Sequence, residues 1–281
     1  MEKKVLWDKD FSSQCYTATL DKLDLFLELI QFIQDKNIDD YIYEKVIEDE
    51  ELWGWIYSKD KSEYIDAKKE LSKKIQKVKT ITEAVYEKDF LSLGKDVQPR
   101  MFLCSFSEEN VFYIASVKGF YKALRSYLSM EKKDEFCKDL PESFPNILFV
   151  SNIESTVNTL NQKFEIIRTE IVNHLTELND YSSKFLELLE EKKSYTEISE
   201  KFKSDTGIDC SPQAGRNHVK KLKIECQNCI TGESETVTCE LHTKFETFNI
   251  DRLKQDRIYF YPGKKGIENG CIIVKHIGKH L

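Results

Sequence analysis

The spacing of apolar residues predicts a chain that begins with helices and ends with strands. In the first two hundred residues, apolar side chains recur every three or four positions, which is typical of helices with one buried face. One such stripe lies within residues 20–37 and another runs from Leu160 to Leu178. Residues 101–106 and 146–150 are short apolar runs that resemble strands, although periodicity alone leaves their assignment open. We therefore expect a mainly helical body over residues 1–190.

The pattern changes after residue 190. Ser194 and Glu197 have the spacing of a capping box, which predicts the start of a short helix that should stop near Gly207. From Leu222 onward apolar and polar residues alternate, and turn residues become frequent, as in antiparallel strands. The predicted fold class is therefore α+β. A C-terminal α+β domain over residues 191–281 should contain short helices followed by an antiparallel hairpin sheet.

Composition narrows the setting in which the protein works. No run of eighteen apolar residues is present, so we expect no membrane span and no membrane partner. The first residues lack the apolar core of a secretory signal, and the eight scattered cysteines suit a reducing compartment, which predicts a cytoplasmic protein. The net charge is −7, yet from Ala214 onward 12 Lys and Arg stand against 8 Asp and Glu. A polyanion is therefore expected to bind to the part of the chain from Ala214 onward.

The stretch CQNCITGESETVTCELH has two interpretations. Cys226, Cys229, Cys239 and His242 have a spacing found in zinc sites. The same residues also alternate as in a hairpin, and a tight turn at Gly232 and Glu233 would place Cys226 opposite Cys239. Residues three apart on a strand point to opposite faces, so the four side chains would diverge. We favour the hairpin and expect neither a metal nor another cofactor.

The polar face of the predicted sheet carries candidate catalytic residues. Glu240, His242 and Lys244 alternate on one strand, and Arg257 and Tyr259 share a face of the next. In the last strand His276 and Lys275 point to opposite sides, and His280 follows them. An imidazole or a carboxylate can move protons, while Lys and Arg stabilise the charge that develops during phosphodiester cleavage. This set is typical of a metal-independent ribonuclease. A solvated face of an ordinary amphipathic sheet is the alternative.

A basic segment precedes the hairpin. Arg216, His218, Lys220 and Lys221 are candidates for contacts with nucleic-acid phosphates. Residues 194–226 can also be interpreted as a helix-turn-helix followed by a wing, which would bind DNA. Gly215 would then lie inside the recognition helix and destabilise it.

The segments CELHTKF, DRIYFYPG and CIIVKHIGKHL resemble a family of bacterial proteins found among anti-phage defence and restriction genes. The resemblance covers roughly residues 140–281. Its most specific residues are Glu240, His242, Thr243, Lys244, Arg257, Phe260, His280 and Leu281. The same tail resembles, at the level of pattern, the RelE/HigB-like toxin domains, which cleave RNA without a metal. Their double-lysine ending is replaced here by Gly278-Lys279-His280-Leu281.

These resemblances imply a bacterial defence effector with candidate endoribonuclease activity. His242 and Glu240 would be the acid and base, and Lys244 and Arg257 would stabilise charge. Tyr259 or His280 would donate the second proton or stack on a base. The implied partners are RNA and a protein of the same defence system. The alternative is a non-enzymatic subunit of a defence complex, or a winged-helix adaptor that binds DNA.

Overall fold

The structure is a computed structural model that describes residues 2–59, 62–107, 109–213, 220–246 and 254–281. The chain has an α+β fold and divides into two compact units, Met1–Met130 and Glu131–Leu281. Within the described ranges, no helix combines the length and the apolar character that are needed to cross a membrane.

The N-terminal unit is built on a parallel sheet. Its strands are β1 (Lys3–Trp7), β2 (Asp39–Tyr43), β3 (Lys79–Ile81), β4 (Arg100–Cys104) and β5 (Tyr113–Ile114). They lie in the order β3-β2-β1-β4-β5, and every neighbouring pair is parallel. The helices of this unit are α1 (Phe11–Thr17), α2 (Leu20–Asp35), α3 (Glu44–Ile47), α4 (Glu50–Tyr57), α5 (Ile65–Ile75), α6 (Glu83–Phe90) and α7 (Val117–Leu128).

The prediction of a mainly helical body is correct for the helices but misses this sheet. Helix α2 has its predicted buried stripe, which includes Phe26 and Ile30. The first four residues of the apolar run at 101–106 lie in β4, all of whose residues are buried. Strands of a parallel sheet are commonly covered on both faces, so their sequences do not alternate. For that reason β1 and β2 gave no periodic signal.

The C-terminal unit combines helices with a mixed sheet. Its helices are α8 (Lys133–Ser143), α9 (Ile153–Val157), α10 (Phe164–Asp180), α11 (Ser182–Glu190) and α12 (Tyr195–Thr206). Its strands are β6 (Ile147–Phe149), β7 (Cys210–Pro212), β8 (Lys223–Gln227), β9 (Ser234–Thr238), β10 (Leu241–Lys244), β11 (Arg257–Tyr261) and β12 (Ile272–Gly278). The main sheet has the order β6-β12-β11-β10-β7, and β8 and β9 form a separate hairpin. Strand β6 runs parallel to its neighbour β12, while the other pairs in both sheets are antiparallel.

The boundary between the units lies at residue 130, whereas the sequence pattern placed it near residue 190. Strand β6 pairs with β12, so residues before 190 belong to the same sheet as the C-terminal strands. The ring of Phe185 in α11 also packs against that of Phe260 in β11, with 5.7 Å between centroids. A change of period along a chain marks a change of secondary structure, and it does not by itself mark the edge of a core.

Helix α12 begins and ends where the sequence predicted. The backbone N–H of Ser194 donates to Glu197 Oε2 at 2.8 Å, and the backbone N–H of Glu197 donates to Ser194 Oγ at 3.3 Å. The helix ends at Gly207, whose φ of 79° is the left-handed conformation that glycine adopts easily. The chain then enters β7, the edge strand of the main sheet.

Candidate active site on the C-terminal sheet

The strand register brings polar residues of four strands into one row. His242 of β10 lies opposite Tyr259 of β11, and Tyr259 lies opposite His276 of β12. On the other side of β10, His242 lies opposite Ser211 of β7. Lys244 of β10 lies opposite Arg257 of β11. This pair is on the same face of the sheet as the pair of His242 and Tyr259. The alternation in the sequence predicted one shared face for His242 and Lys244 and one for Arg257 and Tyr259.

Hydrogen bonds connect the row into a network. The Arg257 guanidinium donates through Nη1 to His242 Nε2 at 3.2 Å and to the Tyr259 hydroxyl at 3.4 Å. Ser211 Oγ lies 3.3 Å from the same His242 nitrogen, and the Tyr259 hydroxyl donates to Gln213 Oε1 at 3.4 Å. Because a guanidinium can only donate, Nε2 of His242 is the acceptor and carries no proton. We call Ser211, Gln213, His242, Arg257 and Tyr259 the Arg257 network.

The centre of this network is buried. His242 is 3% exposed, Arg257 is 8% exposed and Tyr259 is fully buried. A plain solvated face, which was the alternative interpretation of the sequence, therefore does not describe these three residues. Alternation shows which residues share a face, but it does not show what covers that face. Part of the cover is the end of the chain, since the backbone N–H of Leu281 donates to the Tyr259 hydroxyl at 3.3 Å.

The remaining candidate catalytic residues, Glu240, Lys244 and His280, are half-buried. Lys244 forms an ion pair with Asp209, with 3.0 Å between Nζ and Oδ2. Glu240 lies just before β10, and its backbone carbonyl accepts a hydrogen bond from the Gln213 backbone N–H at 2.7 Å. His280 is close enough to contribute to lowering the pKa of His242. All six predicted residues lie in or next to the strands β10, β11 and β12 of the C-terminal unit.

Burial sets the protonation states of the site. Burial, with the nearby charges of Arg257 and Lys244, lowers the pKa of His242 to about 3. The imidazole is therefore neutral near neutral pH and suits the acceptor role that its contact with Arg257 requires. Burial has the opposite effect on a carboxylic acid and raises the pKa of Glu240. Glu240 is consequently a stronger base than an exposed glutamate.

Two members of the network, Ser211 and Gln213, were not predicted to lie at this site. Ser211 lies in a strand of three residues whose partner among the described strands, β10, comes about thirty residues later. A strand this short gives no alternation to detect. Gln213 directly follows that strand.

The structure describes two of the four predicted nucleic-acid contacts. Lys220 and Lys221 are exposed in a 3-10 turn, Lys220–Leu222, while Arg216 and His218 lie outside the described residues. The helix-turn-helix interpretation needs a turn after α12. Residues Cys210–Pro212 instead form β7, hydrogen-bonded to β10. The chain therefore leaves α12 as a sheet strand, which contradicts that interpretation at this point.

The cysteine-containing stretch forms the predicted hairpin, but in another register. Cys226 lies opposite Glu235 and not opposite Cys239. The connection is longer than a tight turn because the Asn228 side chain accepts hydrogen bonds from the backbone N–H groups of residues 230 and 231. The register differs from the predicted one by four positions. An even shift preserves the faces, and Cys226, Val237 and Cys239 remain buried together.

The four residues with zinc-like spacing do not surround a common point. Cys226 and Cys239 pack in the apolar cluster, whereas the exposed Cys229 lies 4.0 Å from Asn269 Oδ1. His242 belongs to a different sheet and bonds to Arg257. Within the ranges that the structure describes, no group of three or more His, Cys, Asp or Glu could hold a metal ion.

Comparison with known proteins gives no relative from which a function can be transferred. No protein-family model, no curated protein and no solved structure matches the chain at a significant level. The resemblances to defence proteins and to RelE/HigB-like toxins stay predictions from the sequence. The case for a function therefore depends on the geometry of the Arg257 network and on these predictions.

Proposed function

We propose that the C-terminal unit is a metal-independent endoribonuclease that acts as an effector in bacterial defence. The observation that supports the activity is the Arg257 network, in which the Arg257 guanidinium lies 3.2 Å from an imidazole nitrogen and 3.4 Å from a phenol oxygen. Groups of this kind can stabilise a phosphorane and move protons without a metal. The role in defence, and a partner protein of the same system, are supported by the sequence resemblance alone.

The proposed reaction is attack of an RNA 2′-hydroxyl on the adjacent phosphorus. Glu240 takes the hydroxyl proton, because its pKa is raised by burial while its side chain is still partly accessible. The P–O5′ bond breaks, a 2′,3′-cyclic phosphate forms and the departing oxygen receives a proton from His280. Arg257 and Lys244 stabilise the developing negative charge. Tyr259 and the neutral His242 hold the guanidinium of Arg257 in place, a positioning role for the imidazole that replaces the predicted acid or base.

The test is cleavage of an end-labelled single-stranded RNA in the presence of EDTA. Glu240→Gln and Lys244→Ala should each lower the rate about 10²- to 10³-fold, since each removes one group that acts in the transition state. Lys201→Ala is the matched control, because Lys201 forms an exposed ion pair with Asp205 on α12. Full cleavage by both site variants, or a requirement for a divalent metal, would contradict the proposal.

Burial supports a second candidate, a non-enzymatic subunit of a defence complex. His242, Arg257 and Tyr259 already bond to one another, and Lys244 is paired with Asp209. Such a network can serve only to specify the fold of the sheet. In that case Tyr259→Phe should lower the free energy of unfolding while the wild-type protein shows no RNA cleavage in any buffer.

A further inference from the structure

A β-bulge turns one lysine out of an otherwise buried strand. Tyr259 lies opposite His276, but the next residue of β11, Phe260, lies opposite Val274. Strand β12 therefore contains one extra residue, Lys275, at this point. Lys275 is also the one residue of β12 that is not buried. Bulges bend a strand and re-aim a side chain, and they are often found beside functional sites.

The bulge directs the Lys275 ammonium toward the hairpin. Its Nζ donates to the backbone carbonyl of Lys223 at 3.1 Å. Lys223 is the first residue of β8 and directly follows the 3-10 turn that carries the exposed Lys220 and Lys221. We call Lys220, Lys221, Lys223 and Lys275 the lysine strip. Residues far apart in sequence are thus brought together on one side of the C-terminal unit.

Among the described residues, no carboxylate forms an ion pair with a lysine of the strip. Across the described ranges, none of its four members forms an ion pair, whereas Lys201, Lys203 and Lys264 each do. The one carboxylate on β8 is Glu225, two residues beyond Lys223 and therefore on the same face. Adjacent uncompensated ammonium groups attract a partner with repeated negative charges.

We propose that the lysine strip binds the phosphate backbone of RNA. The choice of RNA rests on the proposed ribonuclease function, while the need for a polyanion follows from the charges alone. Lys275 directly precedes His276, the last member of the cross-strand row, so RNA bound to the strip lies beside the sheet that carries the Arg257 network. Lys223 and Lys275 are thus added to Lys220 and Lys221 as phosphate-binding residues. The bulge is the feature that places Lys275 in the strip.

The test measures how salt weakens binding of the full chain to a short single-stranded 2′-O-methyl RNA, which cannot be cleaved through its 2′ position. Anisotropy titrations from about 50 to about 200 mM KCl give the slope of log K against log salt. Lys275→Gln and Lys223→Gln should each make that slope shallower by about 0.7, which is about a 2.6-fold smaller loss of affinity over this range. Lys275→Arg should keep the wild-type slope.

Two further variants test whether a change in the salt dependence is specific to the charges of the lysine strip. Lys201→Gln, which removes a paired lysine, should leave the slope unchanged. Glu225→Gln removes the carboxylate next to Lys223 and should tighten binding at low salt. Wild-type slopes in both Lys275→Gln and Lys223→Gln, or binding to an acidic protein with none to RNA, would overturn the proposal.

The binding experiment and the cleavage assay can give opposite results, so the lysine strip and the ribonuclease proposal are tested separately. Shallower slopes in the variants, with no cleavage of unmodified RNA by the wild-type protein, would support the strip and refute the enzyme. Wild-type slopes in the variants, with normal metal-independent cleavage, would overturn the strip alone. Absence of any binding to the oligonucleotide would overturn the strip whatever the result of the cleavage assay.

Discussion

Among single residues, Gly278 at the end of β12 is constrained by its neighbours. A Cβ at this position would lie 2.5 Å from the carbonyl oxygen of Thr156 and even closer to the hydroxyl of Thr159. Both groups hold the strand in place, since Thr156 Oγ1 accepts a hydrogen bond from the backbone N–H of Ile277 at 3.1 Å and Thr159 Oγ1 accepts one from that of Lys279 at 3.3 Å. An added methyl group therefore has to displace Thr156, which lies in α9, and Thr159.

We expect Gly278→Ala to lower the free energy of unfolding by about 1–3 kcal/mol, the usual cost of overpacking. Gly54 is the matched control, because it lies exposed within α4 and a Cβ added there would meet nothing within 4 Å. Gly54→Ala should raise the free energy of unfolding by about 0.5–1 kcal/mol, through helix propensity. Urea unfolding of both variants gives the comparison, and effects of the same sign would refute this account of Gly278.

His242 links the site to the stability of the fold. Its pKa is about 3 in the folded protein, against roughly 6.5 in an unfolded chain. Between these values the unfolded chain binds a proton that the folded chain does not. The stability contribution is therefore complete above about pH 6.5 and is lost as the pH falls toward about 3. Burial also lowers the pKa of His174, to about 4, and that of His276, so both act in the same direction.

The measurement is the free energy of unfolding in urea between about pH 4 and about pH 7. One such histidine contributes a slope of at most about 1.4 kcal/mol per pH unit. His242→Gln keeps an acceptor for Arg257 but removes the titrating group, so the variant should lose less stability on acidification than the wild type. An identical pH dependence in the two proteins would show that His242 titrates normally.

At the scale of elements, the capping box of α12 offers a direct test. Ser194 is the N-cap of this helix, and Ser194→Ala removes the acceptor of the Glu197 N–H. We expect a loss of about 1 kcal/mol in the free energy of unfolding, the usual value for an N-cap. Ser204→Ala, at an exposed position inside the same helix, should be neutral or slightly stabilising. Equal losses of unfolding free energy in the two variants would mean that the N-cap hydrogen bond does not stabilise the helix.

The elements that could be predicted are those whose signal is local. Helix α12 has its cap and its terminal glycine within the segment itself, and β10 and β11 alternate over their length. The missed elements depend on distant partners: β1 is paired on both sides within a parallel sheet, and β7 is paired with β10, about thirty residues later in the chain. The candidate site follows the same rule. Alternation placed His242 and Tyr259 on one face, but their burial depends on the chain that covers them.

At the scale of the whole molecule, the division at residue 130 predicts which fragment folds. Residues 131–281 contain every strand of the main C-terminal sheet and the helices α8–α12. We expect this fragment, produced alone, to unfold cooperatively in urea with native-like secondary structure by circular dichroism. Within it, β12 keeps both of its neighbours, β6 and β11.

A fragment of residues 191–281 is the control, because it corresponds to the boundary that the sequence pattern suggested. It lacks β6 and the helices α10 and α11, so the ring of Phe260 loses its contact with Phe185 and β12 becomes an edge strand. An edge strand with exposed apolar residues invites aggregation. The shorter fragment should therefore be insoluble or unfold without a cooperative transition. A well-folded 191–281 fragment would instead place the independent core after residue 190, and the helices α8–α11 would then be an addition to it.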